Sequence, residues 1–247
     1  MQWRENGVIL SSKPFAENSR IVTLFNRTIG KTSGLVRGVK TSIQLGDIDD
    51  VLWRGRTIEQ LGTFRIENIF SPFTHAFNDC MAVFAIESVC CLCYRGFPEK
   101  APHPELFDAL KALLLSISRI NWLVNYVFFE IKLLADVGFG LDLSKCAVTG
   151  KSDDLRYVSP RTGCAVSEKA GEKYKDRLFV LPQFLIFRDN HPMDEDIFCA
   201  LRICEHFLKA CFCGINGGKL PLSRACLMAE LSKRIEREKS ENQRNRR

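Results

Sequence analysis

Short runs of β-branched and apolar residues, separated by glycine turns, fill the first seventy positions of the chain. Gly7-Val8-Ile9-Leu10 and Arg20-Ile21-Val22-Thr23-Leu24-Phe25 are the clearest, because branched side chains suit a pleated, half-buried surface. Gly34-Leu35-Val36, Asp50-Val51-Leu52-Trp53-Arg54 and Gly62-Thr63-Phe64-Arg65-Ile66-Glu67 follow, and Gly30, Gly38, Gly46 and Gly55 punctuate the series. Five short strands at this spacing predict a small barrel or sandwich. Pro72 marks a break.

From Ala76 the apolar period becomes helical. Cys80 to Tyr94 is the most apolar stretch, too short to span a bilayer and interrupted by Glu87, so it predicts a buried core helix. Leu106, Leu110, Leu114 and Ile117 repeat at helical spacing, and Pro104-Glu105 suits a first turn. Residues 122–137 are apolar on nearly every face, broken only by Asn125, Glu130, Lys132 and Asp136. That pattern predicts a helix inside a domain, stopped at Gly138. Residues 141–174 hold Gly150, Pro160, Gly163 and Gly171 and few apolar runs, and read as an irregular, hairpin-like insertion. Ile197, Leu201, Cys204, Leu208 and Cys211 then form one helical stripe, with Asp194-Glu195-Asp196 placed to favour the helix start. A last helix is expected over 223–237. From Lys239 onward the chain is polar and basic, which predicts a disordered tail.

Composition narrows the class. The 247 residues are 46% hydrophobic and 26% charged, enough apolar content for a packed core. A net charge of +6 favours an anionic partner without demanding one. The polar start, Met1-Gln2-Trp3-Arg4-Glu5-Asn6-Gly7, lacks the apolar run of a secretory signal. The 11 cysteines are odd in number, and several lie in apolar helical runs, where a reduced thiol behaves as a small hydrophobe. A reducing cytoplasm is the expected location.

Candidate chemistry is sparse. Cys146 and Cys164 have the rhythm of a zinc ribbon, but the second position of each pair is Thr149 or Ser167, and a structural zinc site needs four soft ligands. A ribbon-shaped hairpin without metal is therefore expected. Cys90-Cys91-Leu92-Cys93 contains C-x-x-C inside an apolar helical run, without the βαβ setting of a redox site. His75, His103, His191 and His206 are scattered, and no nucleophile-elbow, phosphate-loop or zinc-protease motif occurs. These readings lower the case for an enzyme. The N-terminal region offers more. Ten cations are interleaved there with Trp3, Phe15, Phe25, Trp53 and Phe64, against seven acids. Cations follow a phosphate backbone and exposed rings stack on bases, although Phe25 and Phe64 fall in strands and suit a core. Lys13, Arg20, Arg37, Lys40, Arg54 and Arg56 are the candidate DNA-binding residues; a plain solvated surface is the alternative.

The order of segments resembles the RecO family of bacterial recombination and repair proteins over nearly the whole chain. Trp3 with Val8-Ile9-Leu10 opens it, then Glu17-Asn18-Ser19-Arg20-Ile21-Val22-Thr23-Leu24-Phe25, Gly30-Lys31 and Leu35-Val36-Arg37-Gly38. Leu61-Gly62-Thr63-Phe64 closes the barrel. Phe129-Glu130, Leu134, Gly138-Phe139-Gly140-Leu141-Asp142-Leu143 and Cys146 resemble the family's central helix and the approach to its ribbon. Pro160-Arg161 with Gly163, and Gly217-Gly218-Lys219-Leu220-Pro221 with Ser223-Arg224, are similar to later landmarks.

The resemblance implies an α+β fold: an N-terminal OB-fold barrel (1–72), a helical domain (73–140 and 176–238), a degenerate zinc-ribbon-like insertion (141–175) and a basic disordered tail (239–247). It implies a non-enzymatic mediator of DNA repair and homologous recombination in the RecFOR pathway. Such a protein binds single- and double-stranded DNA, anneals complementary strands and works with RecR, sometimes RecF, to load RecA. It also binds the C-terminal tail of the single-stranded DNA-binding protein, in a cytoplasmic, nucleoid-associated setting. Zinc is held by some members only, and Thr149 and Ser167 argue against it here. The segment 38–46 is shorter and less basic than the family's usual loop, which implies lower DNA affinity. Val127-Phe128 stands where some members carry an arginine near the tail-binding pocket, which moves that contact to Lys132 or another cation; Lys219 and Arg224 are the further partner-binding candidates. Two rivals stay open: an adaptor of the same pathway with little DNA affinity, and a thiol or metal enzyme using the cysteines.

Overall fold

Alternate residues of Gly30–Arg37 are buried, with Thr32, Gly34 and Val36 turned inward and Lys31, Ser33, Leu35 and Arg37 outward. This period of two is that of a strand with one face on a core. The computed structural model of the chain describes residues 1–38, 43–57, 60–117, 119–187, 192–213 and 219–244. Lys40, Glu59, His191, the Gly217-Gly218 pair, Arg246 and Arg247 lie outside the described residues.

Five strands close into a barrel: β1 (Gln2–Ala16), β2 (Ser19–Asn26), β3 (Gly30–Arg37), β4 (Ile48–Arg54) and β5 (Thr63–Phe70), in the order β1-β2-β3-β5-β4. The closing pair is parallel, Leu35 beside Thr63. β1 is far longer than its apolar run Gly7–Leu10. Its first half pairs with β4, from Gln2 opposite Arg54 to Val8 opposite Ile48. Its second half pairs with β2, from Gly7 opposite Asn26 to Ala16 opposite Ser19. Register shifts after Ile9 and Pro14 bend it between the two partners. Ile9, Val22, Leu24, Val36, Val51, Trp53 and Phe64 fill the interior. Gly34 lets the Phe64 ring cross β3, since a Cβ there would stand 2.5 Å from the ring.

The chain divides into two compact units, Met1–Asn125 with Pro221–Arg224 and Tyr126–Leu220 with Ala225–Arg247. The first joins the barrel to α1 (Pro72–Ala76), α2 (Cys80–Gly96) and α3 (Pro104–Ser116). Pro72 and Pro104 each occupy a first helical turn, where proline's missing N–H costs nothing. The Asp79 side chain caps α2 by accepting from the Met81 and Ala82 amides at 3.0 and 3.2 Å. Buried Phe25 carries the barrel onto the helices through Phe97 and Phe107. Gly30 (φ +83°) lies so close to this layer that a Cβ would meet the Ala101 carbonyl at 1.9 Å.

The second unit takes most of α4 (Trp122–Asp136), which ends before Gly138, at φ +88°. A three-stranded sheet follows in the order β7-β6-β8: β6 (Leu155–Val158), β7 (Ala165–Ser167) and β8 (Phe179–Val180). The one-turn helix α5 (Glu168–Gly171) follows β7. The third strand lies past residue 175, so the sheet reaches beyond the hairpin-like segment. In α6 (Asp194–Cys211), Ile197, Leu201, Cys204 and Leu208 are buried as their spacing predicts, while Cys211, the last of the stripe, is half-buried. The Asp196 carboxylate accepts from the Met193 amide at 3.2 Å, completing the first turn. The last helix, α7 (Leu222–Arg244), corrects the expected disorder over 239–244. Its end is rich in Glu, Lys and Arg, good helix formers even without an apolar stripe. It is tied to α6 by Arg234 on Asp194 and Lys239 on Glu195 (3.6 Å). Among the described residues no helix is long and apolar enough to cross a membrane.

Candidate nucleic-acid interface

Strand register decides which cations meet. One row of paired residues runs Lys13, Ile21, Leu35, Thr63, Arg54 across β1, β2, β3, β5 and β4. Arg20 opposes Val36 and Arg37 opposes Ser19 in the neighbouring rows. Arg56 follows Arg54 in the β4–β5 loop. Five of the six nominated DNA-binding residues therefore lie toward the same end of the barrel, Arg20 and Arg37 on the face of strands 2 and 3, and Lys13, Arg54 and Arg56 on or beside the β1–β2 and β4–β5 connections. In OB folds this face and these loops take oligonucleotides. Lys13, Arg37, Arg54 and Arg56 are exposed, and none forms an ion pair with a described carboxylate. Arg20 differs. It is half-buried and donates to the Ser12 hydroxyl at 2.6 Å and the Ser12 carbonyl at 3.0 Å, so it braces the β1–β2 hairpin.

The acids that dilute the region lie elsewhere on the barrel. Among the described residues Glu17 stands at the hairpin tip, and Glu99 reaches the outward face of β3, where it accepts from the Ser33 hydroxyl at 2.8 Å. Asp50 is paired with Arg4, and Glu67 with Arg65 at 3.4 Å; the Arg4 hydrogen bond holds the Asp50 carboxyl below its usual range. Asp47 and Asp49 are buried. Asp47 accepts from the Ser71 hydroxyl (2.6 Å) and the Gln44 amide (2.9 Å). Asp49 accepts from the Asn68 amide at 2.8 Å. Burial pushes the Asp49 carboxyl up to about 6 against the pull of that hydrogen bond, with Asp47 adding repulsion.

The aromatic positions sort differently from their order in the chain. Phe25, Trp53 and Phe64 are core, and half-buried Trp3 stacks on Trp53 with the rings 6.1 Å apart. Of the five rings only Phe15 is outward, 62% exposed. The structure adds one that the barrel sequence could not reveal, since it arrives on α2. Tyr94 lies beneath two ammonium groups, Lys31 at 5.2 Å and Lys13 at 5.7 Å from its ring centroid. Lys31 also donates to the Tyr94 carbonyl at 2.7 Å, and burial lowers its ammonium below the usual lysine range.

The ribbon and the remaining candidates lie in other parts of the molecule. Buried Cys146 accepts at sulfur from the Ser167 amide (3.2 Å) and the Thr149 amide (3.5 Å), with the Ser167 hydroxyl 3.4 Å away. Burial pushes this thiol up, but the combined hydrogen bonds from Ser167 and Thr149 outweigh it and bring it to about 6. Cys164 turns to the Thr162 carbonyl at 3.6 Å. Two thiols and two hydroxyls do not make a structural zinc set, and the hydroxyl residues already satisfy the Cys146 sulfur. Among the described residues no group of three or more His, Cys, Asp or Glu is placed to hold a metal ion. Cys90 and Cys93 are buried and burial raises both thiols, so the C-x-x-C of α2 is core. Of the partner-binding candidates, Lys219 is exposed and half-buried Lys132 pairs with Asp136 at 3.2 Å. Arg224 is corrected: at 1% exposure it is engaged inside the fold and offers no surface to a partner.

Comparison with known proteins agrees with this layout. The family described as "Recombination protein O N terminal" matches residues 1–73, and "Recombination protein O C terminal" matches residues 78–209. The DNA repair protein RecO of Rhodospirillum centenum is 37% identical over 231 residues, covering 91% of this chain and 92% of its own. That of Cereibacter sphaeroides is 36% identical over 239 residues, covering 94% and 99%. That of Phenylobacterium zucineum is 37% identical over 238 residues, covering 94% and 98%. An OB-fold barrel with the family's N-terminal signature, helices with its C-terminal signature, and relatives aligned nearly end to end leave one conclusion: the chain belongs to the RecO family of DNA repair proteins.

Proposed function

We propose that this protein is a non-enzymatic, cytoplasmic mediator of recombinational repair. It binds single- and double-stranded DNA, anneals complementary strands and helps load RecA onto DNA coated by single-stranded DNA-binding protein. RecR, and RecF in some settings, would be its partners. The observation that carries the reading is the set of Lys13, Arg37, Arg54 and Arg56, exposed and without described acid partners, at the end of the barrel that holds the β1–β2 and β4–β5 connections. Two single strands repel through their phosphates. Cations fixed on a rigid barrel offset that repulsion and release counterions, so pairing is speeded without any covalent step. The acidic tail of the single-stranded DNA-binding protein would meet Lys132, once freed from Asp136, and Lys219. The ribbon would keep its shape without zinc, through hydrogen bonds at Cys146.

A second reading, an adaptor with little DNA affinity, is favoured by one observation: Arg20 is occupied with Ser12, which leaves four described cations for phosphate. Fluorescence anisotropy of a labelled single-stranded oligonucleotide, titrated at several salt concentrations, separates the two. Micromolar or tighter binding that weakens steeply with salt, together with faster annealing of complementary strands, is the expected result. No binding at moderate salt would reject the DNA-handling reading and leave the adaptor.

A further inference from the structure

The barrel's cations explain a grip on phosphate, but they do not distinguish a single strand from a duplex. The rings beside them can. Phe15 is 62% exposed, and among the described residues no other ring pairs with it. A phenylalanine in water at a hairpin tip gives up apolar contact area of the kind that binding surfaces use. It follows Lys13 by two residues on β1, so their backbones are about 7 Å apart. Lys13 also approaches the half-buried Tyr94, whose ring centroid is 5.7 Å from the Lys13 ammonium. Tyr94 comes from α2, and its placement is enforced: the Lys31 ammonium holds its carbonyl at 2.7 Å, and the Glu99 carboxylate, which accepts from Ser33 at 2.8 Å, fixes the following turn to β3. The strands beside Lys13 pair Ile21 with Leu35, both half-buried, and Thr23 with Ser33, which share a hydrogen bond (2.9 Å).

We propose that Phe15 and Tyr94 are base-stacking platforms beside a phosphate contact at Lys13, and that they select single-stranded DNA. The inference rests on the DNA-binding reading above. The occupant is a single strand because its charge opposes Lys13 and its unpaired bases expose faces that a duplex buries in its own stack. Lys31 is a positioning residue for Tyr94.

The test uses the full chain and two labelled probes of equal length, an oligothymidine and an abasic strand with the same phosphates. Phe15→Ala, on an exposed ring, and Tyr94→Leu, which keeps apolar bulk, should each weaken oligothymidine binding roughly 5- to 150-fold. Both should leave abasic binding and the salt slope unchanged. Tyr94→Phe should bind both probes as the parent does. Parent-like binding of oligothymidine by Phe15→Ala and Tyr94→Leu, while cation variants lose affinity, would overturn the stacking role and leave the DNA-binding reading intact. Equal losses on both probes would overturn it too, because the rings would then act through folding. Failure of the unaltered protein to bind either probe would overturn both readings.

Discussion

Replacing Arg37, Arg54 and Arg56 together by alanine isolates the electrostatic part of the site. All three are exposed and lack described acid partners, so the fold should be unaffected, as for most surface changes of this kind. Each phosphate contact on a single strand adds about 0.7 to the slope of log affinity against log salt. Three lost contacts should therefore lower the slope by about 2. Between about 50 and 200 mM salt the unaltered protein should then lose about 20-fold more affinity than the variant. Anisotropy titrations at four or more salt concentrations, on both proteins, measure this directly. Arg4→Ala with Arg65→Ala is the matched control. It also removes cationic charge from the barrel, but Arg4 is held by Asp50 and Arg65 by Glu67, so the slope should not move. A variant that weakens binding with an unchanged slope, or a control that lowers the slope as much, would refute the assignment of these arginines.

Other predictions follow from the packing and the ribbon. The Asp49 carboxyl is raised to about 6 from 3.8, so the folded state binds its proton more tightly than the unfolded state. Stability is therefore lost as pH rises from about 4 to 6, by about 3 kcal/mol in all. Asp49→Asn should flatten the melting temperature across that window; an unchanged profile would reject the buried-acid account. Thr149→Cys with Ser167→Cys completes two C-x-x-C knuckles and should give stoichiometric zinc by metal analysis, whereas zinc in the unaltered protein would refute the hydrogen-bonded ribbon. Trp53→Ala empties the barrel centre, where Trp53 is 2% exposed, and should cost about 3–5 kcal/mol in urea unfolding.

Local pattern was readable wherever burial follows from neighbours in the chain. The barrel runs of β2 to β5, the stripe Ile197, Leu201, Cys204, Leu208, and the prolines opening α1 and α3 all stand as expected. The ends of elements were less readable. Most of β1 outside Gly7–Leu10 is polar, and it is a strand because two different neighbours complete its hydrogen bonds. The end of α7 reads as a solvated tail because its anchors, Asp194 and Glu195, lie about forty residues earlier.

The sequence by itself determined the residue types: a barrel-forming series, a surplus of cations, interleaved rings, and two cysteines each followed three places on by a hydroxyl residue. Only the tertiary structure decided which of these meet. Summed along the chain, seven acids blur ten cations; strand register puts Asp49, Asp50 and Glu67 in rows toward one end of the barrel and Lys13, Arg37 and Arg54 in rows toward the other. Phe15 and Trp53 look alike as aromatic residues in strands, yet one points to water and the other fills the core. Tyr94 reaches Lys13 from eighty positions away. The physical reason is common to all three: composition and period are local, whereas face, register and helix docking arise from long-range pairing, which alone sets distances between charges and rings.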